Sequence, residues 1–165
     1  MRRRSLLGVA LAAVLPSALA RAHTMPNSTV TVEVQPQSVR VVAGIPLSEL
    51  AAALSGTSDT TREMWREVQA YLAQHVAVLG ADGRAWSLGL RDEDVAAADG
   101  DHPAIMVVLT FTPPVGGSAR AATLRYDAVT HRVASQYVLV YRHVDGERIP
   151  LGRLQSPATD LPLPD

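Results

Sequence analysis

Five histidines, His23, His75, His102, His131 and His143, are the residues in this chain that could do chemistry. Imidazole is a common ligand for copper, nickel and zinc. The sequence contains no cysteine, which excludes disulfides, thiolate metal sites and a cysteine nucleophile. Any metal site must therefore use His, carboxylate, Met or the chain terminus. No G-x-S-x-G, H-E-x-x-H, P-loop or EF-hand loop is present. The expectation is a non-enzymatic protein whose chemistry, if any, is metal ligation.

His23 draws its interest from what precedes it. "MRRRS" is a basic head, Leu6 to Leu15 is a short uncharged apolar run, and "PSALARA" supplies small residues for a cut. That layout is an export signal. The apolar run is too short to span a bilayer, which needs about 20 residues, and Pro16 interrupts it. Cuts after Ala20 or after Ala22 both satisfy the small-x-small rule, and "RRSLL" suits either a twin-arginine or a general secretory route. The second cut makes residues 1–22 the signal and His23 the first residue. Its α-amine, with an unperturbed pKa of roughly 7.7 to 8.0, and its ring Nδ1 could then chelate one ion. A second His from elsewhere would complete the histidine brace known from exported copper proteins. The plainer reading is an exposed terminal His without a ligand.

The other histidines are placed by their neighbours. Met64, Val68, Tyr71, Leu72, His75, Val76 and Leu79 recur at helical spacing, with Thr60 and Glu63 as a capping box and Gly80 as a stop. The spacing predicts a helix over about 61–79. His75 lies on its apolar stripe, as a core-edge residue bonded to a backbone carbonyl or as a metal ligand. His131 falls in a turn close to Tyr126 and Asp127, a cluster that could bind metal or simply satisfy the turn. His102 reads as a loop residue. His143 shares strand parity with His131, but twelve residues of continuous strand would separate them by about 40 Å. The acidic run Asp92 to Asp94 reads as a solvated loop or strand end.

The elements that must position these residues are mostly strands. "STVTVEV" alternates, "PQS" turns, and "VRVVAGI" follows as a partner strand. "PLSELAAAL" suits a short helix. After the long helix, "WSLGLRDEDVAAAD" reads as a strand, and "PAIMVVLTF" as a central buried one. "ATLRYDAV" and "RVASQYVLVYRHV" read as strands joined by a short turn, and Asp145-Gly146 as a hairpin leading to "ERIPLGRL". The expected class is α+β, mainly β: an antiparallel sandwich-like domain with a short helix and one long helix inserted after the first two strands. Residues 23–155 form one domain, and 156–165 a flexible Pro-rich tail.

Removal of the first 22 of 165 residues leaves 143, enough for one domain with a proper core. All fifteen basic residues are Arg; four leave with the signal, so eleven face sixteen acidic ones and the mature net charge is about −5. No basic stripe points to nucleic acid. The mature chain carries no apolar run of membrane-spanning length.

Several segments together resemble a known family. "AHTMPNSTVTVEV" directly after a signal is followed in order by "IPLSELAAAL", "YLAQHV", "DGRAWSLGL", "LTFTPP" and "LRYDAVTHRVASQYVLV". They are similar to the exported N-terminal domain of HupE/UreJ-like membrane proteins, over nearly all of the mature chain. The resemblance implies a soluble domain in the periplasm or outside the cell, working with a helical membrane protein whose relatives are linked to nickel or cobalt uptake. It matches His23, Met25 and Pro26 in "AH-x-MP", Tyr71, Leu72 and His75 in "YL-x-x-H", and Tyr126, Asp127 and His131 in "YD-x-x-x-H". A second family His has its counterpart at Gln136 here, and the family's membrane half is missing from this sequence.

The leading expectation is an exported domain that binds or handles copper or nickel for a membrane partner, with His23, His75, His131 and Asp127 as candidate ligands. The competing expectation is a metal-free interaction module that docks on a separately encoded HupE/UreJ-like membrane protein. An exported copper oxygenase ranks below both, since the aromatic, substrate-facing surface is thin.

Overall fold

A computed structural model of the chain describes residues 27–54, 62–90, 95–98, 103–117 and 119–164. The segment read as an export signal, His23, Thr60, Asp92 to Asp94 and His102 lie outside the described residues.

The protein is mainly β, with a mixed seven-stranded sheet, a three-stranded sheet and two helices. The first strand, β1 (Ser28–Gln35), buries Val30 and Val32 and turns Thr29, Thr31 and Glu33 outward. Alternation of this kind lets one face of a sheet build a core while the other meets water. The chain turns at Pro36-Gln37 into β2 (Ser38–Pro46), which pairs antiparallel with β1 from Gln35↔Ser38 to Thr29↔Gly44. Helix α1 (Leu47–Ala53) follows, its first amide tied to the Pro103 carbonyl at 2.9 Å. Helix α2 (Arg62–His75) runs straight into β3 (Val76–Leu79), and β4 (Ser87–Gly89) and β5 (Val95–Ala98) come next. Both of the latter pair with β6 (Ala104–Thr112), whose other side pairs with β2. The remaining strands are β7 (Thr123–Tyr126), β8 (Val138–Val144), β9 (Glu147–Leu154) and β10 (Asp160–Pro162). The large sheet runs β4-β6-β2-β1-β8-β9, with β5 also on β6; the small one runs β10-β7-β3. A single cluster of buried side chains draws on both sheets and both helices, with Val32, Val107, Phe111, Leu72 and Leu124 among its members.

The structure corrects the sequence reading in six places. The long helix stops at His75, and Val76–Leu79 is a strand, because those four residues pair with β7. Gly80 ends that strand in a turn closed by Gly83, not a helix. The large sheet is not wholly antiparallel, since β1 and β8 run parallel from Ser28↔Val138 to Val32↔Arg142. The segments around Tyr126 and Tyr137 are not a hairpin: β7 and β8 belong to different sheets, and residues 127–137 form the connection. Strand β6 is central but buried on one face only, with Met106 exposed on the other. The Pro-rich end, expected to be flexible, places β10 against β7 and buries Leu163. The Asp145-Gly146 hairpin forms as expected, with positive φ at both residues, 51° and 87°, as such a two-residue turn requires.

Glu49 is the unusual core residue. It stands in the first turn of α1, is 1 % exposed, and accepts a 2.7 Å hydrogen bond from the Ser28 hydroxyl. Its Oε1 has no hydrogen-bond partner among the described residues. Burial pushes its carboxyl above the ordinary range, and the Ser28 hydrogen bond opposes only part of that. The folded state therefore favours the protonated acid, so the stability Glu49 contributes is full below the unfolded pKa and is lost as pH rises through the raised folded value. Glu49→Gln, which keeps an acceptor for Ser28, is expected to flatten the fall in melting temperature between pH 5 and pH 8. Melting curves of both proteins across that range check this; an equal fall in the two would refute it.

Candidate metal centre

The register of the small sheet builds the site. Val76 pairs with Tyr126 in the antiparallel β3–β7 ladder, and one further step places His75 opposite Asp127. The Asp127 amide donates to the His75 carbonyl at 3.0 Å, which closes that step. The end of α2 and the end of β7 are thus held together across 52 residues of sequence. Beside them, His75 Nδ1 lies 2.8 Å from Asp127 Oδ1.

His131 enters from a tight turn that starts at Asp127. The His131 amide donates to the Asp127 carbonyl at 3.0 Å, and His131 Nδ1 reaches the same oxygen at 3.0 Å. The two imidazole rings stack, with centroids 4.0 Å apart and planes 13° from parallel. Tyr71, one helical turn before His75, packs its ring 4.5 Å from that of His75 and 5.9 Å from that of His131. The turn carries Val129 at a positive φ of 66°, and the Val129 amide donates to the Tyr71 hydroxyl at 2.7 Å. Burial pushes the Tyr71 phenol up, so it stays a neutral hydroxyl at ordinary pH.

One ligand atom from each of His75, Asp127 and His131 falls within 4.8 Å of the others, a spacing that could hold a metal ion. The hydrogen bonds assign the tautomers. A carbonyl oxygen only accepts, so His131 must carry its proton on Nδ1; an ionised carboxylate likewise takes the proton of His75 Nδ1. Each Nε2 then keeps its lone pair, with no partner for either among the described residues. A ligating His commonly donates its other N–H to a carboxylate or a backbone carbonyl, and Asp127 offers one of each. Asp127 thus fits better as the residue that orients both rings than as a ligand. A metal lies in the plane of each imidazole it binds, and two stacked planes do not meet near the rings. An ion shared by both Nε2 atoms requires one ring to turn, and His131, exposed at the turn, is the freer one.

Asp127→Asn keeps an acceptor for His75 Nδ1 and leaves the main-chain oxygen for His131. It is expected to weaken metal binding by only about 10-fold, the lower end for an orienting partner. A loss beyond about 100-fold, measured by competitive titration, would make Asp127 a ligand instead.

The structure joins three of the four ligand candidates read from the sequence: His75, Asp127 and His131. His23 lies outside the described residues. His75 bonds a carboxylate, not the backbone carbonyl expected of it. His143 stands on β8 in the other sheet, lining a cavity of about 210 Å3 with Thr31, Glu33, Arg40 and Val42. A second cavity, of about 390 Å3, is lined by Trp86, Pro113 and Arg120 among others and touches none of the three site residues. The cluster itself is partly open to solvent: the His75 and Asp127 side chains are 20 % and 37 % exposed, and His131 is exposed at the turn. Gln136 is buried near the end of the connection. The sequence places Tyr71 on the helix stripe and in the "YL-x-x-H" segment, but gives it no role at the site. The signal that could have marked it is the four-residue step shared by Tyr71/His75 and Asp127/His131.

No protein-family model matches this chain, and no curated protein matches it either.

Proposed function

We propose that this chain is an exported, non-catalytic domain that binds a transition metal, copper or nickel, through His75 and His131 with Asp127 orienting both. The observation that carries the reading is the pair of stacked imidazoles whose Nδ1 atoms are both committed to Asp127. That arrangement leaves two neutral nitrogen donors side by side, the ligand type that suits copper and nickel. A site with two or three protein donors at the surface leaves coordination positions open, which suits an ion that is to be passed on. The receiver in this reading is an integral membrane protein of HupE/UreJ type, and the place is the periplasm or the cell exterior. Its support is the signal-like start of the sequence and the resemblance of its segments. No helix among the described residues is long and apolar enough to cross a membrane. The two sheets are read as the leaves of a sandwich, on the ground that one core cluster takes side chains from both.

One observation favours the metal-free interaction module. The outward face of the large sheet carries half-exposed Val42, Val108, Leu139 and Tyr141 beside exposed Met106, more apolar surface than a solvated sheet face needs.

Titration of the exported protein with Cu(II), Ni(II) and Zn(II) separates the two readings. One equivalent bound at micromolar or tighter dissociation constants supports the metal site. No binding of any of the three at that level leaves the interaction module.

A further inference from the structure

The geometry points to Tyr71 as the positioning residue of the metal centre: its hydroxyl holds the turn that carries His131 in a backbone conformation that Val129 would not keep by itself. The inference rests on the metal-binding reading for its consequence, but not for its structural content.

Val129 has φ 66°, in the left-handed region. For a β-branched residue this is a true outlier, because Cβ crowds the neighbouring carbonyl. Such a conformation persists only where its surroundings over-determine it. Two contacts do so here. The Val129 side chain is buried, at 1 % exposure. Its amide donates to Tyr71 Oη at 2.7 Å, a buried bond between residues 58 apart in sequence.

The conformation of Val129 matters because the turn is built on it. The amides of Arg132 and Val133, the two that follow His131, both donate to the Val129 carbonyl at 3.0 Å. A change in φ at Val129 would swing that carbonyl and, with it, the backbone of His131. The His131 ring would leave its stack on His75, where the centroids are 4.0 Å apart. Tyr71 thus works on the site in two ways. Its ring flanks both imidazoles, and its hydroxyl fixes the distance from which His131 must turn toward a shared ion. What is preorganised is the backbone: with the turn fixed, a side-chain rotation of His131 is all that separates the stacked rings from a shared ion, and a smaller ordering cost on binding raises affinity without adding a ligand.

The test uses Tyr71→Phe, Val129→Gly and the double variant of the exported protein. Phe keeps the ring and removes the hydroxyl. Gly takes a positive φ at no steric cost. It also deletes a buried side chain, so both Gly variants lose thermal stability, and affinity is the readout that matters. In metal-free Tyr71→Phe, the backbone coupling that reports φ of residue 129 is expected to change, and the contacts between the His75 and His131 rings to fade in nuclear Overhauser spectra. Its Cu(II) affinity is expected to fall about 10-fold, as for loss of an orienting partner. The double variant should recover the ring contacts and most of that affinity. An unchanged coupling and unchanged ring contacts in Tyr71→Phe would overturn the inference, as would failure of the folded double variant to regain them. These spectra are read without metal, so they decide the positioning role even if the wild-type protein binds no Cu(II), an outcome that would sink only the metal-binding reading.

Discussion

His75→Ala is expected to lower Cu(II) affinity by more than about 100-fold, beyond the range that loss of an orienting residue produces. His75 is the donor fixed most firmly. It is anchored by the end of α2, by the Asp127 amide on its carbonyl and by the Asp127 carboxylate on its Nδ1. Removing it leaves His131 alone at an exposed turn, and a single imidazole holds copper weakly. His131→Ala should cost less, because His75 keeps its orienting carboxylate. His143→Ala should cost nothing, since His143 lies in the other sheet. Isothermal titration of the three variants ranks them. An equal loss in His143→Ala, or none in His75→Ala, would refute the ligand assignment.

Leu72→Ala is expected to produce the largest loss of stability, about 2–5 kcal/mol for a fully buried leucine. Leu72 has 0 % exposure and lies on the face of α2 that also carries Val68 and, at the next turns, Trp65 and Tyr71. The helix has few other anchors. For a domain whose total stability is on the order of 5–15 kcal/mol, that is a large fraction of the whole. The melting temperature should fall by roughly 10 °C. The loss should also reach the candidate metal centre, because α2 delivers both Tyr71 and His75. Ala70→Gly is the comparison: its side chain is exposed, and it should cost only the helix propensity, about 1 kcal/mol. Equal melting temperatures for the two variants would mean that α2 is not held by its buried face.

What the sequence made legible follows from range. Strands β1 and β2 could be read because their alternation is local and a short turn joins them. The Asp145-Gly146 hairpin could be read because its chemistry sits in two adjacent residues. The end of α2 was misread for a physical reason: Val68, Leu72, Val76 and Leu79 keep a helical step across the true boundary. Capture of Val76–Leu79 by β7 is a contact about 50 residues away that no local pattern announces. The parallel pairing of β1 with β8 is more distant still. The Pro-rich end looked frayed because prolines weaken strands, yet Leu161 and Leu163 give it apolar anchors.

The candidate metal centre was half legible on the same grounds. Both segments, Tyr71 to His75 and Asp127 to His131, stand out in the sequence one at a time, but their shared four-residue step does not announce that they meet. The register that lays one against the other could not be read, because it depends on the strand misread as helix. The positive φ of Val129 has no sequence signature at all, since valine is among the residues least suited to it.

The most direct measurement is the amide spectrum of the protein, isotope-labelled, during addition of less than one equivalent of Cu(II). The paramagnetic ion erases signals nearest to it first. The expected result is early loss at His75, Asp127, His131 and Tyr71, while His143 and the β8–β9 hairpin remain. Loss centred on His143, or on no part of the fold, would contradict a metal site built from the end of α2 and the turn after β7.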